Sequence, residues 1–179
     1  KRELPFSKEL YIERDDFMEN APKKFFRLTV GKEVRLKHAY YITCTGCVKN
    51  SSGTIVEVRC TYDSNTRGGW SDDGRKVKGT IHWVSCKQAV NGQVNLYNKL
   101  FNIENPMNID TGIDFTTNIN QKSLEIIKNI KMEPSLSIAN KNQKFQFLRK
   151  GYFVLDKKST DKKIIFNQTV NLRDNWNKK

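Results

Sequence analysis

Phe25-Phe-Arg-Leu-Thr-Val-Gly-Lys-Glu-Val-Arg-Leu-Lys-His-Ala-Tyr-Tyr-Ile42 is the stretch on which the reading of this chain turns. Gly31 divides it into two expected strands, Phe25–Val30 and Glu33–Thr43. In the second, Val34, Leu36 and Tyr40 alternate with Arg35, Lys37 and Tyr41, the two-residue period of a half-buried strand. Arg35 and Lys37 therefore share one polar face, about 7 Å apart at roughly 3.3 Å per residue. With Arg27 one strand earlier and aromatic rings beside them, these cations suit phosphates or unstacked bases. The same pattern also fits the solvated face of an ordinary strand, and this stretch alone leaves both readings open.

Working outward, the β signal continues. Strands are expected at Thr54–Tyr62, Lys76–Ser85, Val94–Phe101, Gln121–Met132, Lys144–Leu155 and Lys163–Leu172, the last running into Arg173-Asp-Asn-Trp176 and a basic tail. Turn chemistry separates them at 49–53, 65–74 and 90–93. One or two helical turns are expected near Asp15–Asn20, before Pro22. Residues 102–120, rich in Asn, Asp and Pro, read as an ordered connector. The loop Asn65-Thr-Arg-Gly-Gly-Trp-Ser-Asp-Asp-Gly74 carries an exposed-looking Trp70 between glycines, a composition typical of functional loops. About ten short strands exceed one small barrel and fit two. The fold class expected is therefore all-β: two small antiparallel β-barrels, one spanning 12–95 and inserted into a second built from 1–11 and 96–179.

Composition narrows the partners. The 179 residues hold 32 Lys plus Arg against 19 Asp plus Glu, a net charge of +13 that points to a polyanion. Residues 1–100 carry +7, 101–140 carry −2 and 141–179 carry +8, so two basic regions flank a neutral to acidic middle. At 37% hydrophobic and 11% aromatic, the chain is too apolar for a disordered one. No run of 18 apolar residues exists, so no membrane-spanning helix is expected, and no signal peptide opens the sequence. A cytoplasmic monomer is the expectation. Lys1 in place of an initiator Met suggests a fragment.

Catalytic chemistry is nearly absent. His38 and His82 lie on expected strands with no local nucleophile motif, carboxylates are scattered, and no glycine-rich phosphate loop occurs. Cys44-Thr-Gly-Cys47 has half the spacing of a zinc site, but Cys60 and Cys86 are 26 apart and make no second pair, so reduced thiols in strands are expected and no metal. Binding chemistry is richer. Phe145-Gln-Phe-Leu-Arg-Lys-Gly151 sets Gln146 and Arg149 among aromatics, an amide for base edges and a guanidinium for pairing or stacking. Their strand parity differs, so they face opposite sides unless a bulge or the Gly151 turn redirects one. Asp73-Gly-Arg-Lys-Val-Lys-Gly79 offers Arg75, Lys76 and Lys78 for RNA backbone contact.

Several of these motifs together resemble a known family. Pro5-Phe-Ser-Lys-Glu-Leu-Tyr-Ile-Glu-Arg-Asp-Asp-Phe17, Arg27-Leu-x-x-Gly-Lys-Glu-Val-Arg-Leu36, Cys60-Thr-Tyr-Asp63, Asp73–Gly79 with Ile81-His-Trp-Val-Ser85, Phe145-Gln-Phe147 with Gly151-Tyr-Phe153, and Phe166-Asn-Gln-Thr-Val170 with Leu172-Arg-Asp174 look like the C-terminal anticodon-binding region of bacterial glutaminyl-tRNA synthetases. In that family the region is a pair of β-barrels, distal and proximal. The resemblance implies binding to tRNA(Gln) through an unstacked anticodon with C or U first, U in the middle and G third. By position it implies Arg35 and Lys37 at the first base, Arg27 and Lys24 at the third, and Gln146 and Arg149 at the middle one. Lys37 stands in place of a more usual Arg, Lys24 where the family can have Gln, and Phe26 where it can have Lys. A further Arg of the middle-base pocket would lie upstream of Lys1. The family is a class I ligase that joins glutamine to tRNA with ATP and magnesium, and its nucleotide-binding signatures have no counterpart here, so no residue of this chain is expected to be catalytic. The same barrels occur in archaeal and eukaryotic type glutamyl-tRNA synthetases, and a stand-alone RNA-binding β-barrel protein is the remaining alternative.

Overall fold

In a computed structural model that describes residues 2–107 and 114–172, the chain is built from eleven strands and four short 3-10 turns. It forms two compact units, one of residues 4–88 and the other of 1–3 with 89–179. The expected strand ending in Arg173-Asp-Asn-Trp176 and the centre of the 102–120 connector lie partly outside the described residues. Among the described residues no helix is long and apolar enough to cross a membrane.

In the first unit, β1 (Leu10–Ile12) pairs antiparallel with β6 (Trp83–Ser85). That pairing is why residues 4–11 belong to this unit, whereas the strand pattern alone had grouped them with 96–179. A separate four-stranded sheet runs β4-β3-β2-β5, from β2 (Glu33–Leu36), β3 (Tyr41–Lys49), β4 (Ile55–Asp63) and β5 (Thr80–Ile81). The alternation in the opening stretch has its physical result here: Val34 and Leu36 are 1% and 0% exposed, while Glu33 and Arg35 point to the other face. Val34 and Leu36 join Phe17, Leu28, Ile42, Ile81 and Trp83 in one core that draws on both the β1–β6 ribbon and the sheet.

Within the opening stretch, two expectations differ from the structure. Phe25–Val30 is not a strand. Leu28, 1% exposed, plugs the core and makes a single parallel bridge to Phe17, Thr29 beside it is also buried, and the segment runs as irregular chain. The expected strand Glu33–Thr43 is broken by a tight turn at 36–39, in which Ala39 N–H donates to Leu36 O at 3.0 Å and Leu36 N–H to Tyr40 O at 2.9 Å. His38, at the third position of that turn, has φ +60.

The second unit is a five-stranded sheet ordered β8-β7-β11-β10-β9. Its strands are β7 (Val90–Tyr97), β8 (Leu124–Met132), β9 (Lys144–Phe147), β10 (Gly151–Leu155) and β11 (Ile164–Val170). Val94, Met132, Phe153, Ile164 and Phe166 form its core, with Leu136 and Ala139 packed over it from the 3-10 turn Pro134–Ile138 and its cap. The expected turn at 90–93 is strand instead. Gly92 sits in β7 beside a bulge where β7 meets Met132 closely, so this Asn-Gly pair serves packing and not chain reversal.

All-β architecture is therefore what the chain has, but no sheet closes into a barrel among the described residues. Nor is the pairing wholly antiparallel, since β2–β5 and β11–β7 run parallel. In the first unit the ribbon and the sheet close around a shared core by packing, without a continuous hydrogen-bonded ladder.

Candidate nucleic-acid interface

Arg35 is placed by both of its neighbouring strands. Its N–H donates to Gly79 O at 2.8 Å, and across the sheet it faces Thr80 on β5 and Tyr41 on β3. Directly opposite residues share a face, so Arg35 and Tyr41 meet. Nη2 donates to Tyr41 Oη at 3.2 Å, and Cζ lies 5.4 Å from the Tyr41 ring centre. The 65–74 loop brings Trp70 to the same guanidinium, its ring centre 5.6 Å from Cζ. The polar face of β2 is therefore not bare. Tyr41 is 2% exposed beneath these groups, and Arg35 Nε is buried with no hydrogen-bond partner among the described residues.

Lys37 does not continue the strand beside Arg35. It opens the turn after β2, with its N–H donated to Ile81 O at 3.0 Å and its carbonyl accepting Trp83 Nε1–H at 3.0 Å. Its backbone is thus clamped while its side chain stays half-buried at the sheet end.

Arg27 is positioned by its neighbour. Leu28 N–H donates to Asp16 O at 3.0 Å, and Met18 N–H donates to Leu28 O at 3.1 Å, fixing the irregular segment to the 3-10 turn Arg14–Asp16. Arg27 Nη1 then pairs with the Asp16 carboxylate, which is fully buried. Lys24 is exposed in the turn just before, and exposed Phe26 lies under Lys78 Nζ at 5.6 Å.

Arg75, expected to contact RNA backbone, is half-buried and paired with carboxylates of the chain itself. Nε and Nη2 donate to the two Glu33 oxygens at 3.0 Å each, Nη2 also to Asp63 at 2.5 Å, and Nη1 to Asp73 at 2.5 Å. Glu33 first, then Asp63 and Asp73, hold this guanidinium above its ordinary range. In return Arg75 holds the Asp63 carboxyl below its usual value, helped by the Asn65 N–H. Asp73 is pulled down to about 2, first by the Ser71 hydroxyl and then by the Arg75 backbone N–H and guanidinium. A cation facing three carboxylates is a strut. Lys76 and Lys78, both exposed, are the members of this segment turned outward.

In the second unit, Gln146 is exposed on β9 opposite Tyr152 of β10. The parity conflict with Arg149 disappears, because Arg149 is not on a strand: it sits at the third position of the Phe147–Lys150 turn, where Lys150 N–H donates to Phe147 O at 2.9 Å. Arg149 holds φ +64, a region that non-glycine residues enter at a cost. The two units thus present like hairpins. Each has an outward residue just before the turn, Arg35 or Gln146, a cation within it, and a non-glycine residue at positive φ in its third position.

Sequence reasoning missed Asp16 and Tyr41 as partners, and Trp70 it had marked only by its loop. Among the described residues no group of three or more His, Cys, Asp or Glu is placed to hold a metal. Cys44 and Cys60 are opposite one another on β3 and β4, and Cys47 Sγ turns to Glu19 Oε1 at 3.6 Å.

Two stretches match families carrying one description, tRNA synthetases class I (E and Q), anti-codon binding domain: residues 1–63 and residues 80–156. The chain belongs to this anticodon-binding family. Within it, the chain is 50% identical over 177 residues to the glutamine–tRNA ligase of Bradyrhizobium diazoefficiens, covering 99% of this chain and 31% of that protein. It is 49% identical over 178 residues to that of Rhodopirellula baltica, covering 99% and 29%. With the Clostridium kluyveri ligase it shares 44% over 176 residues, covering 98% and 31%. The chain spans about a third of the length of these glutamine–tRNA ligases.

Proposed function

We propose that this chain reads the anticodon of tRNA(Gln) as the anticodon-binding part of a glutamine–tRNA ligase. The observation that carries the reading is that the matched anticodon-binding stretches, residues 1–63 and 80–156, take in most of both units and the basic hairpin that each unit carries. In the first unit, Arg35 and Lys37 are assigned the first anticodon base, and Arg27 with Lys24 the third. In the second unit, Gln146 and Arg149 are assigned the middle base. The guanidinium and amide groups pair with base edges, while Lys76 and Lys78 neutralise phosphates and add affinity without sequence information.

Two features of the geometry support these assignments. Arg35 keeps its Nη1 group and one Nη2–H for a base, and its plane is set by Tyr41 before any RNA arrives, which lowers the entropic cost of binding. Arg27 is steadied by Asp16 in the same way. Ligation, with glutamine activated by ATP and magnesium, belongs to the remainder of such an enzyme, and no residue here is assigned a catalytic or metal-binding role. A cytoplasmic monomer remains the accompanying proposal.

The test is binding of the chain to an anticodon stem–loop carrying CUG, against the same stem–loop with the middle U changed. Each lost base contact weakens binding by about 1–3 kcal/mol. Equal affinity for both RNAs would overturn the reading.

A further inference from the structure

Trp70 is 75% exposed, the most exposed aromatic ring among the described residues, yet the loop that carries it is firmly pinned. At its start, Thr66 is fully buried. Its hydroxyl donates to Asp63 O at 2.7 Å and accepts the Tyr41 N–H at 2.8 Å, and Thr66 O accepts the Gly69 N–H at 2.9 Å. At its end, Ser71 and Arg75 hold Asp73. Between these anchors Gly68 and Gly69 take φ +87 and +86, and a Cβ on Gly69 would stand 2.9 Å from Arg35 Cδ. The loop is thus laid directly on the Arg35 stem, in a backbone conformation that glycine adopts freely.

The consequence is that Tyr41 and the Trp70 indole both meet the Arg35 guanidinium, their ring centres 5.4 and 5.6 Å from Cζ. One indole face is turned to Arg35. A ring with both faces covered is not three-quarters exposed, so the outer face meets solvent. Packing gives no reason to hold an indole there, because it contributes nothing to either hydrophobic core. Nucleobases give one. Aromatic rings beside a cationic groove bind single-stranded bases by stacking, and a guanidinium behind the ring adds positive charge where an RNA strand passes.

We propose that Trp70 is a stacking platform that takes an unpaired base of the anticodon loop on its outer face, next to the base whose edge Arg35 reads. This rests on the anticodon-reading function proposed above and adds to it a residue not assigned there. The platform is built before binding, since the loop is pinned at both ends, and it is indifferent to base identity, since every base has a π-face. Trp70 therefore supplies affinity and holds the neighbouring base out of the loop stack, while Arg35 supplies discrimination.

The experiment measures binding of the full chain to the CUG anticodon stem–loop and to a set of stem–loops each with one abasic position in the loop. Trp70→Leu is expected to bind the intact RNA about 5- to 150-fold more weakly, the range of one base–aromatic stack. Trp70→Phe, which keeps a ring, is expected to recover most of that loss. The deficit should be the same at low and high salt, because no counterion release is involved, and it should vanish for one abasic RNA, the one lacking the stacked base. Both variants should melt with the wild-type chain, as the side chain is outside the core. If the wild-type chain keeps its anticodon preference while Trp70→Leu binds each RNA as tightly as the wild-type chain does, the platform is overturned alone. A deficit that persists on every abasic RNA also overturns it. If the wild-type chain shows no anticodon preference, the proposed function and the platform fall together.

Discussion

The Asp16 carboxylate is buried beneath the Arg27 guanidinium and pairs with its Nη1, so a residue assigned to base reading also neutralises an interior charge. Removing the guanidinium takes one charged partner from that buried carboxylate. Arg27→Ala should therefore lower stability, by less than the roughly 3–5 kcal/mol of a fully buried pair, because the Arg27 side chain is 35% exposed. Arg27→Lys keeps the charge and loses the fork, and should melt close to the wild type while binding the stem–loop more weakly. Thermal melting beside RNA titration checks both halves.

Arg149 allows the opposite separation. Its φ of +64 suits glycine, so Arg149→Gly removes the guanidinium while easing the turn, a relief of about 1 kcal/mol set against lost stem packing. The expected outcome is a melting temperature at or near the wild type with RNA binding weaker by about 1–3 kcal/mol. A variant that binds as well as the wild type would remove Arg149 from the base readers.

The Arg75 strut predicts a pH dependence. Asp63 and Asp73 have folded-state values below the ordinary 3.8, Asp73 at about 2. A carboxylate lowered on folding contributes stability that is complete above its unfolded value and is lost as pH falls through its folded one. Wild type should therefore exceed Arg75→Met in melting temperature from neutral pH down to about 4, and the gap should close between about 4 and about 2. Thermal melts of the two proteins across that range decide it.

Gly79 is a close-approach position. A Cβ there would stand 2.7 Å from Phe26 O and 3.0 Å from Val34 Cγ1, one of them backbone and one core. Gly79→Ala should cost about 1–3 kcal/mol, in the range of overpacking changes. Because Gly79 O also accepts the Arg35 N–H, the variant should weaken RNA binding as well, measured by the same titration.

Much of this was readable in advance, for reasons that differ by element. Val34 and Leu36 announced β2 because its two faces meet different media, and that contrast is written in alternation. Leu28 misled, because one buried residue between polar neighbours reads as a strand when it is an anchor in irregular chain. The turn at His38 escaped notice because it uses none of the Gly, Asn or Pro chemistry that marks turns, while the turn that Gly151 signals falls earlier, on Phe147–Lys150, with Arg149 at positive φ. The commitment of Arg75 was invisible because Glu33 and Asp63 lie 42 and 12 residues away. Only folding brings them to one guanidinium.

The chain enters and leaves residues 4–88 side by side. β1 and β6 are paired, and the Cys86 N–H closes onto Glu9 O at 3.0 Å. Every strand of this unit therefore finds its partners within one uninterrupted stretch. It has the form of a cassette, a self-paired insert whose two ends leave the unit at one place.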